Sequence, residues 1–289
     1  MRSWRMRVHR PTLIMGLPQR ALVLALLSLT SALRVQNEEE SSTSQRLSGK
    51  VIGPLAQGRD AIFEFMEDAG AQACTDARRP LKLFARSTIA GICVGCGGLL
   101  CSSVGGDMGI PFWAPGGGLQ RLAFGAIGFP LSILMVSLSG ASAFTANLAL
   151  AANALRKGRA TVRNALALLG ITYAGCFTGA GIVAGVAVAG DLPGCVPATA
   201  IAAHKLKLSA LQTFVRGIGG GWLISCAVTF AISAMKMGGN IIDIIVAIWF
   251  PISTYVISDF EHCLANFFFM LTALFRQNAR GDDLFNLKD

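Results

Sequence analysis

Charge is what this sequence has least of: Asp, Glu, Lys and Arg together make up 14% of its 289 residues, while apolar residues reach 53% and mean hydropathy is +0.56. Soluble domains carry roughly a quarter of their residues as charges, so a single water-facing globule is excluded. Several apolar runs separately approach or exceed the eighteen or so residues that cross a bilayer as helix. Tyrosine is nearly absent at 2 residues, whereas glycine numbers 33. Outer-membrane barrels need aromatic girdles and strands of alternating polarity, so this balance fits closely packed helices instead. The expected class is an all-α polytopic membrane protein.

Histidine is scarce too, with 3 in the chain. No set of His, Cys and carboxylates converges on a credible metal or catalytic centre, so no enzyme, cofactor or metal is expected. The 8 cysteines include Cys93 and Cys96 in "GICVGCGGLLC". This CxxC has no partner pair and lies inside a predicted span, where small residues serve packing. The net charge of +9 does not imply nucleic acid, because the basic residues flank apolar runs and form no stripe interleaved with stacking aromatics. The glycine clusters "GAGIVAG" and "GIGGGW" lack the preceding strand of a nucleotide fingerprint and read as close helix contacts.

Residues 1–34 place basic residues ahead of a short apolar core, the layout of a signal or transit-like leader. A polar linker follows at 35–54, and 55–80 reads as an amphipathic helix on the membrane surface, with Phe63, Phe65 and Met66 clustered. Residues 81–289 form the expected transmembrane transport domain, with spans at 81–100, 122–155, 165–189, 211–235 and 241–275. A short connection carrying His204, Lys205 and Lys207 joins the third span to the fourth. The basic clusters at 78–86 and 156–163 fall on one side, which the positive-inside rule makes cytoplasmic or its organellar equivalent.

The second and fifth spans are too long for one ordinary crossing, and each contains an interruption. "SGASAFTANL" begins at Ser139 and "SDFEHCLANF" at Ser258, and both carry Ser at the first position and Ala-Asn at the eighth and ninth. Two broken helices entering the membrane from opposite faces make an inverted repeat. Broken backbone at lipid depth is tolerated only where protein or a water-lined cavity satisfies it, so both breaks should face a shared path. Half-helix N-termini there attract anions before any side chain is counted.

His262 is the leading candidate: an imidazole in an apolar surround that can hydrogen-bond a small anion or share a proton with it. Glu261, its neighbour, should diverge from it and anchor broken backbone or a neighbouring loop. Asn147 and Asn266 are expected to close freed backbone groups. The Thr145 hydroxyl either donates to a passing carboxylate-like oxygen or bonds back to its helix carbonyl. Phe144 and Tyr255 are candidates for apolar constrictions, with plain packing as the competing role. Two other readings stay open: a pore for neutral small solutes, although the Asn-Pro-Ala loops of aquaporins are absent, and an inactive, purely structural subunit.

With these residues in view, the sequence resembles the formate/nitrite transporter family. The resemblance rests on "RRPLKLFARSTIAG" from Arg78, "SGASAFTAN" from Ser139, "YAGCFTGA" from Tyr173 and above all "FEHCLANFFF" from Phe260. It implies an aquaporin-like fold of six spans with the second and fifth broken, pentamers with a pore in each protomer, and passage of formate, nitrite, bicarbonate or similar monovalent anions, often with protons. His262 matches the family's central pore histidine and Thr145 its pore threonine, with Phe144 beside it and Tyr255 near a constriction. An algal plastid-type member fits the leader, so a plastid envelope or plasma membrane is the expected residence.

Three departures follow. Ser142 stands where the first break often carries an acidic residue. A family lysine near the start of the third span has no clean match, since Ala167 aligns there and Arg163 lies a turn earlier. After the fifth span only "RQNARGDDLFNLKD" remains, so the sixth span is expected to be missing, either by truncation or because another chain supplies that wall.

Overall fold

Helix termini in this chain are written in local chemistry. Ser209 and Gln212 form a reciprocal capping box ahead of Ala210–Lys236, and Asn240 and Asp243 form another ahead of Ile241–Ile257. Thr161 accepts from the Asn164 amide to open Val162–Ala189, and Pro80, which has no N–H to lose, starts Pro80–Gly105. A computed structural model describes residues 58–106 and 117–280, so the expected leader and linker lie outside the described residues.

In chain order the helices are α1 (Gly58–Asp76), α2 (Pro80–Gly105), α3 (Gly118–Leu138), α4 (Phe144–Arg156), α5 (Val162–Ala189), α6 (Cys195–Leu206), α7 (Ala210–Lys236), α8 (Ile241–Ile257) and α9 (Cys263–Arg280). The described residues form helices and no strands. Among them α2, α3, α5 and α7 are long and apolar enough to cross a membrane, and α8 is a shorter apolar helix. The second predicted span is thus divided into α3 and α4, and the fifth into α8 and α9. The connection expected around His204 is instead the helix α6. Its run of alanines is strongly helix-forming, and Pro197 falls in its first turn, where a missing N–H costs nothing.

α2 is the central mast, packed against α5 on one side and α3 on the other. Glycine makes the α2–α5 approach possible: a Cβ on Gly91 would run into the Cys176 carbonyl, and one on Gly179 into that of Thr88. Phe124 and Phe129 of α3, Tyr255 of α8 and Phe268 and Phe269 of α9 fill the core. The outer face of α7 is different. Leu211, Phe214, Ile218 and Trp222 are exposed there, and Gly217 and Gly221 meet open space. Such a surface suits hydrocarbon rather than water.

α1 is held by charge. Glu67 is buried at 4% exposure, and its carboxylate meets Arg156, the last residue of α4, at 3.3 Å and, just beyond it, Lys157 at 3.5 Å and Arg159 at 4.0 Å. Arg159 also pairs with Asp68, and the Lys236 ammonium lies 3.8 Å above the Phe65 ring. Met66 is buried and Phe63 exposed, so the apolar cluster read from the sequence is divided between two faces.

The two kinds of glycine separate in a thermal melt of the detergent-solubilised protein. Gly179→Ala forces backbone apart and should cost about 1–3 kcal/mol, whereas Gly221→Ala should be neutral or stabilise by about 0.5–1 kcal/mol through helix propensity.

Candidate transport site

The second break occupies residues 258–262 between α8 and α9. His262 is its last residue: the Asn266 N–H donates to the His262 carbonyl at 3.0 Å, and the Ala265 N–H donates to Nδ1 at 3.4 Å. The imidazole therefore caps α9. A ring nitrogen that accepts carries no proton, so the neutral ring holds its hydrogen on Nε2. That Nε2 is buried and has no hydrogen-bond partner among the described residues.

His262 lines a cavity of about 20 Å³, room for about one water. Phe124, Phe129, Tyr255 and Phe269 form its aromatic walls, and Lys205 and Asn266 contribute polar atoms. The Tyr255 and His262 ring centres are 5.8 Å apart, and Tyr255 tilts in turn against Phe129 at 6.2 Å. Two of these rings come from α3, one from α8 and one from α9. Both half-helix pairs therefore contribute to one narrow space.

Glu261 faces elsewhere. The Lys205 Nζ donates to Oε1 at 2.7 Å and the Asn266 Nδ2 donates to Oε2 at 2.7 Å, with the Lys205 and Glu261 side chains only 9% and 5% exposed. Both carboxylate oxygens are thus engaged, and the break is tied to α6 on one side and to the first turn of α9 on the other. Lys205 was the residue sequence reasoning missed. Its only local signal is a cation at the end of an alanine-rich, otherwise apolar segment, which at that depth needs a carboxylate. The cation sought at the start of the third span, near Ala167 or Arg163, reaches the second break from α6 instead.

The first break, residues 139–143, is built alike but contains no charged residue of its own. Asn147 donates from Nδ2 to the Ser142 hydroxyl at 2.7 Å, as Asn266 does to Glu261. Among the described residues neither asparagine side chain closes a freed backbone group; each bonds the side chain five residues before it. Ala143 supplies no side-chain cap to α4. Phe144 and Thr145 are half-buried and do not line the His262 cavity. Phe144 sets its ring edge against Tyr173 at 5.3 Å, and Tyr173 continues to Phe267 at 4.9 Å, an aromatic ladder linking α4, α5 and α9. No cluster of metal-ligating side chains exists among the described residues.

A family model described as formate/nitrite transporter matches residues 60–287. The chain belongs to the formate/nitrite transporter family. A relative in Methanothermobacter thermautotrophicus, named a probable formate transporter, is 31% identical over 251 residues, covering 79% of this chain and 84% of the relative. The fold is shared with a solved channel described as an FNT family ion channel, with TM-score 0.67, 21% identity and coverage of 79% of this chain and 87% of the other. It is shared also with a structure described as a pentameric formate channel with formate bound, with TM-score 0.57, 24% identity and coverage of 72% and 83%. Family and fold together make this an integral membrane protein, in keeping with the exposed apolar face of α7.

The Lys205–Glu261 pair gives a direct test. Removing one member of a buried ion pair costs about 3–5 kcal/mol by stranding the other charge, so Lys205→Ala should melt far below the wild type. Lys205→Met combined with Glu261→Gln should recover most of that loss in the same measurement.

Proposed function

We propose that this protein passes small monovalent anions across its membrane, with formate, nitrite and bicarbonate as the candidate cargoes, and that His262 is the group the anion meets at the narrowest point. The observation that carries this reading is the uncommitted Nε2 of His262 in an aromatic-walled cavity between the broken helices. A hydrogen on that nitrogen can be donated to a carboxylate-like oxygen as the anion sheds water. For the anion to cross as the neutral acid, the ring first takes a proton from water on the acidic side at Nδ1, giving up the Ala265 amide, and the imidazolium then passes its Nε2 proton to the anion and returns to the neutral ring; proton coupling in this reading needs that prior protonation.

Electrostatics support the sign of the cargo. The first three amides of α4 lack a side-chain cap, and unsatisfied N–H groups at a helix start favour negative charge. Lys205 on the cavity wall is neutralised by Glu261 and Asp259 on the same wall by Arg216, so paired charges there neither trap nor repel an anion. The aromatic rings of Phe129 and Tyr255 exclude bulk water and hydrated ions. Tyr255 acts in this reading as a further pathway residue at the cavity, and Thr145 and Phe144, which lie outside that cavity, as pathway residues away from it, with Ser142, Asn147, Glu261 and Asn266 holding the two breaks. The relative named a probable formate transporter and the structure described as a formate-bound pentamer support formate among the cargoes and a homo-pentamer as the assembly.

The test is uptake of labelled formate and nitrite into liposomes across pH. Wild type should show saturable uptake that rises as the outside is acidified. His262→Asn keeps a hydrogen-bonding side chain but cannot carry a proton, and should lose the acid stimulation and about tenfold or more of the flux. A His262→Asn protein with an unchanged pH profile would overturn the role given to the ring.

A further inference from the structure

The repeat that aligns Ser139 with Ser258 also aligns Gly140 with Asp259, Ser142 with Glu261 and Asn147 with Asn266. Hydrogen bonds extend the match to a residue pair that the local sequence does not align. The Ser142 N–H donates to the Arg86 carbonyl at 3.3 Å, and the Glu261 N–H donates to the Arg216 carbonyl at 3.2 Å. Each arginine then reaches back into the same break with its side chain. Arg86 donates from Nε and Nη2 to the Gly140 carbonyl at 3.0 and 2.7 Å, and Arg216 donates from Nη1 to the Asp259 carbonyl at 3.3 Å. Gly140 and Asp259 are the positive-φ residues of the two breaks, at 63° and 58°.

We propose that Arg86 and Arg216 are a matched pair of positioning residues, each clamping the left-handed turn of one break and thereby setting the pose of the half-helix N-terminus that follows it. This inference rests on the transport reading for its consequence, though not for its geometry. A break at membrane depth frees carbonyls that no water can satisfy, and a guanidinium supplies several donors in a rigid fork to hold them. The arginine backbone fixes the turn from one side through the Ser142 or Glu261 amide, and its side chain fixes it from the other. Neither α4 nor α9 can swing without breaking that two-sided hold.

The two clamps differ in what steadies the guanidinium. Arg216 pairs with the carboxylate of Asp259, inside the break it holds. Arg86 pairs at 3.3 Å with Asp76, the last residue of α1. The second clamp is self-contained, and the first is anchored from the surface helix. Thr145 sits three residues beyond one clamp's amide contact and His262 one residue beyond the other, so a loosened clamp should change what the pathway admits.

Two readouts on the full chain in liposomes test this: hydrogen exchange of the breaks, and the ratio of formate to nitrite flux. Arg86→Lys keeps the charge and loses the fork, and exchange in 139–147 should quicken about tenfold with 258–266 unchanged, as expected for loss of hydrogen bonds to a charged donor. Arg216→Lys should do the reverse, and each variant should shift the flux ratio. Asp76→Asn, which lies outside the membrane helices, should loosen 139–147 alone and keeps the test alive if an arginine variant misfolds. Unchanged exchange in folded variants would overturn the clamps, and faster exchange with an unchanged flux ratio would overturn their positioning role. A wild type that moves neither anion would instead sink the transport reading, leaving exchange to judge the clamps.

Discussion

Backbone N–H and C=O groups released by a helix interruption find no water in a bilayer and have to be satisfied from within the protein. That constraint governs the arrangement around both breaks. It explains why charged side chains, scarce in the chain as a whole, gather at 258–262 and beside 139–143, and why neighbouring helices lend arginine and lysine to turns far from them in sequence. Arg86 lies 54 residues from its Gly140 acceptor, and Lys205 lies 56 from Glu261. These contacts close long loops and so fix topology as well as local geometry.

The two breaks solve one problem with different chemistry. At the first, a hydroxyl accepts from Asn147; at the second, a carboxylate accepts from both Asn266 and Lys205. A buried carboxylate is costly unless paired and fully hydrogen-bonded, and Glu261 meets both conditions, whereas Ser142 needs neither. With serine in that place Ser142 needs no cation of its own, and the guanidinium at the first break, that of Arg86, goes to the Gly140 carbonyl instead, so the two halves are electrostatically unequal while keeping the same asparagine crosslink.

Much of this architecture is legible in the sequence because the signals are strong and local. Overlong apolar runs interrupted by "SGASA" and "SDFEH" announce the breaks, and their shared Ser and Ala-Asn positions announce the repeat. Helix starts differ from the sequence expectation by one to four residues, Pro80 against Leu81 and Gly118 against Leu122, since an all-apolar stretch has no periodicity to mark its limits. α6 stayed hidden because a short apolar helix between two spans looks like a connection. Lys205, Arg86 and Arg216 stayed hidden for a deeper reason: their partners are set by packing across the bundle, and no spacing rule links residue 205 to 261. Phe144 and Thr145 show the opposite limit. Adjacent to a break in sequence, they stand on faces of α4 that the His262 cavity does not reach.

The alignment of the breaks places His262 opposite Ala143, each the last residue before its half-helix. An inverted repeat with a histidine at both positions would put two titratable rings on one path, and a proton accepted by one would oppose a proton on the other. With alanine at the first, a single ring carries the exchangeable hydrogen, held on Nε2 by the backbone amide that occupies Nδ1. The helix start that lacks a side-chain cap keeps its amides available for anion attraction, and the capped one spends an amide on orienting the ring. A near-symmetric scaffold thereby gives its two breaks different endings, an uncapped helix start at one and a histidine-capped one at the other, and in the proposed reading the first attracts the anion while the second handles its proton.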